Sequence, residues 1–198
     1  HLNSSGRGKG LAIFHKQEYK HIIDHNEENI NITKMESENL NVITIYRSND
    51  GSLGKLIRKL QVLIDTSKST LILGDMNICN KKMATNELRK FLEDKKFKQV
   101  INKATHIEGG HLNHVYIRNI GNFQETPNIE IIPKYYSDHD SICIVWKLIE
   151  LSERMEVDET RVRSLKRKRK TNDYKLVSLS LIHNFNNNSF IFVGSYKI

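Results

Sequence analysis

The chain has 198 residues, 38% hydrophobic and 27% charged, with a net charge of +8. That length suffices for one domain with a good core, and no apolar run nears the roughly 18 residues a bilayer span needs. Two cysteines, Cys79 and Cys143, are too few for a disulfide framework and lack metal-knuckle spacing, which points to a reducing compartment, nuclear or cytoplasmic.

The charge is uneven. Residues 151–198 carry 10 Lys and Arg against 5 Asp and Glu, leaving 21 against 18 for residues 1–150. Basicity therefore belongs mostly to the tail and implies no strongly basic folded face. The chain begins with His1 rather than Met and reads as a fragment.

In chain order, residues 1–10, with their serines and glycines, read as a loop. Leu11–Phe14 reads as a short strand and Asn31–Glu36 as a weaker one, joined by a polar Asn/Glu-rich connection. Asn41–Tyr46 (NVITIY) is β-branched and aromatic, a strand signal. Ser52–Thr66 reads as a helix, because Leu53, Leu56, Ile57, Leu60, Leu63 and Ile64 recur at three- and four-residue spacing and Ser52 suits an N-cap. A core strand follows at 70–74. A second helix is expected over Thr85–Lys95 with Leu88, Phe91 and Leu92 inward, then a short strand at Lys98–Ile101.

His111–Arg118 alternates, with Leu112, His114, Tyr116 and Arg118 on one side and Asn113, Val115 and Ile117 on the other. Asn128–Pro133 and Ser141–Leu148 complete the strands. Strands with two interspersed helices and no regular βαβ alternation favour an α+β layered fold. Beyond residue 150 the chain is highly charged. Residues 151–175 read as disordered, with β-prone stretches at Val177–Ile182 and Ser189–Val193. The domain is thus placed at 1–149, with a basic, largely disordered tail over 150–198. The run Ser164–Lys170 suits nuclear localisation or a nucleic-acid patch.

The stretch Thr70-Leu-Ile-Leu-Gly-Asp-Met-Asn77 organises the chain. Its apolar run reads as a strand buried on both faces. Residues i and i+2 of extended chain point the same way, so Asp75 and Asn77 project together from a rigid strand end. An Asp can accept a proton or bind a metal, and an Asn both donates and accepts. Gly, Asp and Asn are equally the residues of an ordinary turn. Two more polar clusters sit at strand ends, Tyr46-Arg47-Ser48-Asn49 and Ser137-Asp138-His139. A Thr105…Gly109-Gly110…Leu112-Asn113-His114-Val115 segment lies between Asn77 and Ser137.

In that order the marks resemble the endonuclease/exonuclease/phosphatase superfamily, the DNase I-like metal-dependent phosphodiesterases, over roughly residues 6–148. They are a strand ending in Tyr with Asn three residues on, Gly-Asp-x-Asn, a Thr…Gly…Leu-Asp-x-Val segment and a closing Ser-Asp-His; Gly10–Phe14 resembles the family's Gly-Val-Ala-Ile strand. The wording around Thr105–Tyr116 is similar to retroelement-type endonuclease domains and unlike the inositol-phosphatase branch.

The resemblance implies a four-layer α/β/β/α sandwich lacking its first strands, Mg²⁺ or Mn²⁺ as cofactor and DNA as partner. It implies Asp75 orienting or deprotonating the attacking water, and Asn77 holding the water or the phosphate. Tyr46, Asn49 and Arg47 would meet phosphate, His139 would donate to its oxygens, and Asp138 with Asp75 would serve the metal. Asn113 stands where the family has an Asp that pairs with this histidine, so the ring keeps a hydrogen bond and loses a charge partner. The family's metal-binding Glu lies N-terminal to the region this chain contains, and Glu36 and Glu38 do not replace it. The expectation is a weak or inactive nuclease, with a nucleic-acid or protein binding module as the alternative. His106, His111 and His114 read as surface or packing residues.

Overall fold

The computed structural model describes residues 2–4, 10–15, 19–27, 29–79, 83–121, 123, 125–133, 137–147, 174–179 and 189–195. The charged segment 148–173, with its basic run, lies outside them.

In chain order the elements are β1 (Leu2–Ser4), β2 (Gly10–His15), β3 (His21–Glu27), β4 (Ile30–Glu36), β5 (Leu40–Arg47), α1 (Leu53–Leu63), β6 (Ser69–Asp75), α2 (Met83–Asp94), β7 (Lys98–Gln99), β8 (Asn113–Arg118), β9 (Asn128–Ile132), β10 (Ser141–Lys147), β11 (Tyr174–Leu179) and β12 (Ser189–Ser195). They form two sheets, one in the order β3-β4-β5-β6-β8-β7 and the other β1-β2-β12-β11-β10-β9.

The first of these sheets carries the core. Every residue of β5 is buried, and β6 is buried up to Gly74. Such strands need apolar or β-branched residues on both faces, as their sequences provide. One face packs on α1 and α2, where Ile32, Ile43, Ile45, Ile72 and Tyr116 meet Leu56, Leu60, Leu88 and Leu92. The other face packs on the second sheet, where Val42, Leu71, Leu73, Val115 and Ile117 meet Ile13, Ile142, Ile144 and Trp146. Each fully buried Leu or Ile contributes about 1.5–3 kcal/mol, so this double coverage makes β5, β6 and β8 the rigid floor of the domain. The alternation of β8 is as expected: Val115 and Ile117 face the second sheet and Tyr116 faces the helices.

β5 and β6 are parallel, which demands a crossover, and α1 supplies it. Ser52 caps α1, its Oγ accepting the Lys55 N–H at 3.4 Å.

Four differences from the sequence reading stand out. The layers among the described residues are α/β/β, with both helices on one face of one sheet; the second helical layer is not among them. The polar connection between the first strands is in fact β3, pairing antiparallel with β4 from His21↔Glu36 to Glu27↔Ile30. As an edge strand it needs little apolar patterning, and its Ile22 and Ile23 remain exposed. Part of the expected N-terminal loop is β1, paired with β2 through Leu2↔Ala12. Finally, β11 and β12 come from beyond residue 150 and fill the space between β10 and β2, so the second sheet extends past the expected domain boundary. No helix among the described residues is long and apolar enough to cross a membrane.

Candidate active site

Strand register sets the site. Tyr46 of β5 is level with Asp75 of β6, and Asp75 is level with Asn113 of β8. Alternation then fixes the face: Asp75 follows Leu71 and Leu73, Asn113 precedes Val115 and Ile117, and Tyr46 follows Val42, all on the side toward the second sheet. Three polar side chains thus stand abreast at one end of the inter-sheet core.

Gly74 makes this possible. Its φ is +144°, and a Cβ there would lie 1.8 Å from the Ile45 carbonyl oxygen, so only glycine lets β6 run this close to β5. The chain then turns at Asn77, whose φ of 49° is left-handed, a region asparagine tolerates. The Asn77 N–H donates to Asp75 Oδ1 at 3.0 Å, and its Nδ2 donates to the Arg47 carbonyl at 2.8 Å. Arg47 answers across the same gap, with Nη1 donating to the carbonyls of Met76 at 2.8 Å and Ser48 at 3.1 Å. The guanidinium is buried and holds the turn that presents Asp75 and Asn77.

Two loops close over the strand ends. The Thr105–Gly110 turn is folded on itself, with the N–H groups of Thr105 and His106 both donating to the Gly110 carbonyl. It is laced to the second loop by Ile107 N–H to the Asp138 carbonyl and Asp140 N–H to the Thr105 carbonyl, each 2.9 Å. Thr105 Oγ1 also accepts the Asn113 N–H at 3.1 Å. This lacing carries His139 over β6 and β8. Its Nδ1 meets Asn113 Oδ1 at 3.1 Å, and its Nε2 stands 3.9 Å from Asp75 Oδ2. His106 packs edge-on against the His139 ring, centroids 4.9 Å apart, with its Nε2 3.7 Å from Asp138 Oδ2.

Burial pushes the Asp75 carboxyl above the usual carboxylate range; the opposing charge of His139 and the Asn77 N–H pull it back, and the like charge of Asp138 adds to the rise. Burial also raises the Tyr46 hydroxyl, with the Asp75 charge acting the same way. Burial lowers the Arg47 guanidinium, and the charges of Asp75 and Asp50 oppose this.

The structure therefore brings Tyr46, Asp75, Asn77, Asn113, Asp138 and His139 to one end of the domain. Asn49 lies exposed in the turn after β5, and no hydrogen bond among the described residues ties it to the cluster. His114 is a packing residue as expected: it is buried on the helix face, its Nε2–H donating to the Ile78 carbonyl at 2.7 Å. His106, expected as a surface or packing residue, packs its ring against His139 at the edge of this cluster. The Gly109-Gly110 pair was the available signal, because it permits the tight turn that folds His106 toward His139, with Gly109 at a φ of +77°.

His106, Asp138 and His139 offer nitrogen and oxygen atoms within 4.8 Å of one another, a group that could hold a divalent ion. The mutual repulsion of Asp75 and Asp138 is a further feature that a cation would relieve.

No protein-family model matches the chain. No curated protein matches it. Among solved structures it is similar to the endonuclease domain of TRAS1, a telomere-specific non-LTR retrotransposon, at 8% sequence identity and a TM-score of 0.47, covering 67% of this chain and 76% of that chain. A likeness of that degree says nothing about substrate or reaction.

Proposed function

We propose that this cluster is a nuclease-type phosphodiesterase site, acting on DNA and depending on a divalent ion, Mg²⁺ or Mn²⁺. The observation that carries the reading is the level placement of Tyr46, Asp75 and Asn113 with His139 bridging the last two. Residues from four separate strand ends and loops meet in one place, in the order the sequence resemblance implies. DNA as the substrate class rests on that resemblance.

The reaction is in-line hydrolysis. A water oxygen attacks phosphorus, its proton passes to the Asp75 carboxylate, the bond from phosphorus to the leaving oxygen breaks, and that oxygen takes a proton from solvent. The raised Asp75 carboxyl is suited to receive the proton, because burial favours its neutral form. Asn77, held in place by Arg47, and Tyr46 border the position of the phosphate. Asp138, with His106 and His139 beside it, would hold the divalent ion, which would supply positive charge against the phosphate oxygens.

The competing reading is a non-hydrolytic nucleic-acid or protein binding module, favoured by Asn113 in place of a carboxylate beside His139. Nicking of supercoiled plasmid by the full chain in Mg²⁺ or Mn²⁺ separates the two. Slow nicking abolished by Asp75→Ala supports the nuclease. DNA retention without nicking supports the binding module.

A further inference from the structure

Away from the candidate site, positive charge gathers on the first half of α1. The helix reads LGKLIRKLQVL, with Lys55, Arg58 and Lys59 in its first two turns, no acid in the first turn and no base in the last. A helix favours the opposite arrangement, because its N-terminus is the positive end of its dipole. Local rules of this kind are broken mainly at functional positions.

The three cations and Glu27 line an open hollow of about 310 Å³. Glu27 serves one of them. Its Oε1 lies 2.9 Å from Lys59 Nζ, and that bond holds the Glu27 carboxyl below its usual range, with the Lys55 and Arg58 charges acting the same way. Among the described residues neither Lys55 nor Arg58 has an ion-pair partner, and both are exposed. Arg58 reaches back along the helix: a Cβ on Gly54 would lie 3.6 Å from its Nη1, so the guanidinium lies over the first turn.

Register puts this hollow on the rim that carries Asp75. Glu27 is level with Ile30 and Ile30 with Arg47; Arg47 directly follows Tyr46, which is level with Asp75. The Ser48 N–H donates to the Asn29 carbonyl at 2.9 Å. A Cβ on Gly51 would lie 2.7 Å from that same oxygen, so the start of α1 is seated tightly on the β3–β4 turn. Three strand spacings of about 4.8 Å separate β3 from β6, a span of about 14 Å that about four nucleotides of a duplex strand cover.

We propose that Lys55 and Arg58 bind the phosphate backbone of double-stranded nucleic acid a few nucleotides from the position at Asp75, with Lys59 fixed beside them by Glu27. The proposal rests on the nuclease reading above, which supplies the nucleic acid. A duplex backbone carries a phosphate at every step and so meets both places at once. Contacts of this kind hold the backbone and read no sequence. An acidic protein segment offers charge of the same sign but no phosphate for the site at Asp75.

The test is fluorescence anisotropy of the full chain with a labelled DNA duplex of random sequence, across a salt series, without divalent ion so that the duplex stays uncut. Lys55→Ala and Arg58→Ala each weaken binding about threefold, the scale of one exposed ion pair. Each also lowers the slope of log affinity against log salt by about 0.9. Both positions are exposed and Ala favours a helix, so the variants keep the fold. Lys98→Ala removes one charge from β7, at the opposite edge of the same sheet, and leaves affinity and slope unchanged. DNA binding that neither variant weakens more than Lys98→Ala does overturns the docking site and leaves the nuclease reading standing. Variants that lose affinity for polyglutamate but not for DNA make the hollow an acidic-protein site and overturn the proposal likewise. A wild type that binds no DNA overturns it too, and one that also fails to nick plasmid in Mg²⁺ or Mn²⁺ overturns the nuclease reading with it.

Discussion

His139 is held between an amide and an acid: its Nδ1 lies 3.1 Å from Asn113 Oδ1 and its Nε2 3.9 Å from Asp75 Oδ2. Asn113 and Asp75 are themselves register partners on neighbouring strands. The ring thus spans a gap fixed by strand pairing, and the lacing of its loop to the Thr105–Gly110 turn holds it there.

Gly74 is the position where that pairing is least tolerant. With a Cβ 1.8 Å from the Ile45 oxygen and a φ of +144°, Gly74→Ala forces β5 and β6 apart. The expected loss is more than about 3 kcal/mol, as for other incompatible backbone substitutions. Urea unfolding followed by circular dichroism measures it. A loss below about 1 kcal/mol would show that the close approach is dispensable.

The raised Asp75 carboxyl predicts a trade of stability for function. Because the folded state holds this proton more tightly than the unfolded chain, the contribution of Asp75 is fully present below its unfolded value near 3.9 and is lost as pH rises through its higher folded value. Asp75→Asn keeps an acceptor for the Asn77 N–H and does not ionise. Its urea midpoint relative to wild type is expected to climb from pH 3.5 to pH 7.5 while nicking is abolished. A wild-type advantage that grows with pH would reverse the assignment.

His114 gives the opposite pH signature. Burial holds its imidazole below the ordinary value, so the neutral ring is the one the fold accepts. Its contribution is present above the unfolded value near 6.5 and is lost as pH falls below it. His114→Gln is expected to be less stable than wild type at pH 7.5 but to lose less on going to pH 5. Parallel pH profiles for the two chains would contradict this.

Much of this arrangement is legible in the residues. β5, β6 and β8 announce themselves by β-branched runs and strict alternation, and α1 by its leucine spacing, since each has a buried face that its sequence must serve. The Gly-Asp-x-Asn turn is visible because its backbone needs glycine at 74 and favours asparagine at 77. What escapes is what burial does not pattern. β3 is a polar edge strand, and β11 and β12 overlap the β-prone stretches of the sequence, but their place in the second sheet is not legible across a long charged segment. His106 meets His139 through main-chain lacing between Thr105–Ile107 and Asp138–Asp140, for which the Gly109-Gly110 pair is the one signal in the sequence.

Arg47 shows the same limit from the other side. Its place in a strand-end cluster suggested a phosphate contact, yet its guanidinium is buried on the Met76 and Ser48 carbonyls. Arg47→Lys loses the planar fork and is expected to cost about 2 kcal/mol. It also slows nicking by loosening the turn that carries Asp75 and Asn77. Unchanged stability with weakened DNA binding would instead make Arg47 a substrate contact.

The account turns on the proposed nuclease site and on the amide that Asn113 sets beside His139, and Asn113→Asp tests it most directly. A carboxylate there keeps the bond to His139 Nδ1 and adds the charge that favours a protonated ring. In side-by-side plasmid nicking with Mg²⁺ or Mn²⁺, the account predicts a variant at least about a hundredfold faster than a slow wild type, by the scale of losing a triad carboxylate, and no nicking when Asp75→Ala is added. A variant no faster than wild type, or nicking that survives the loss of Asp75, would contradict it.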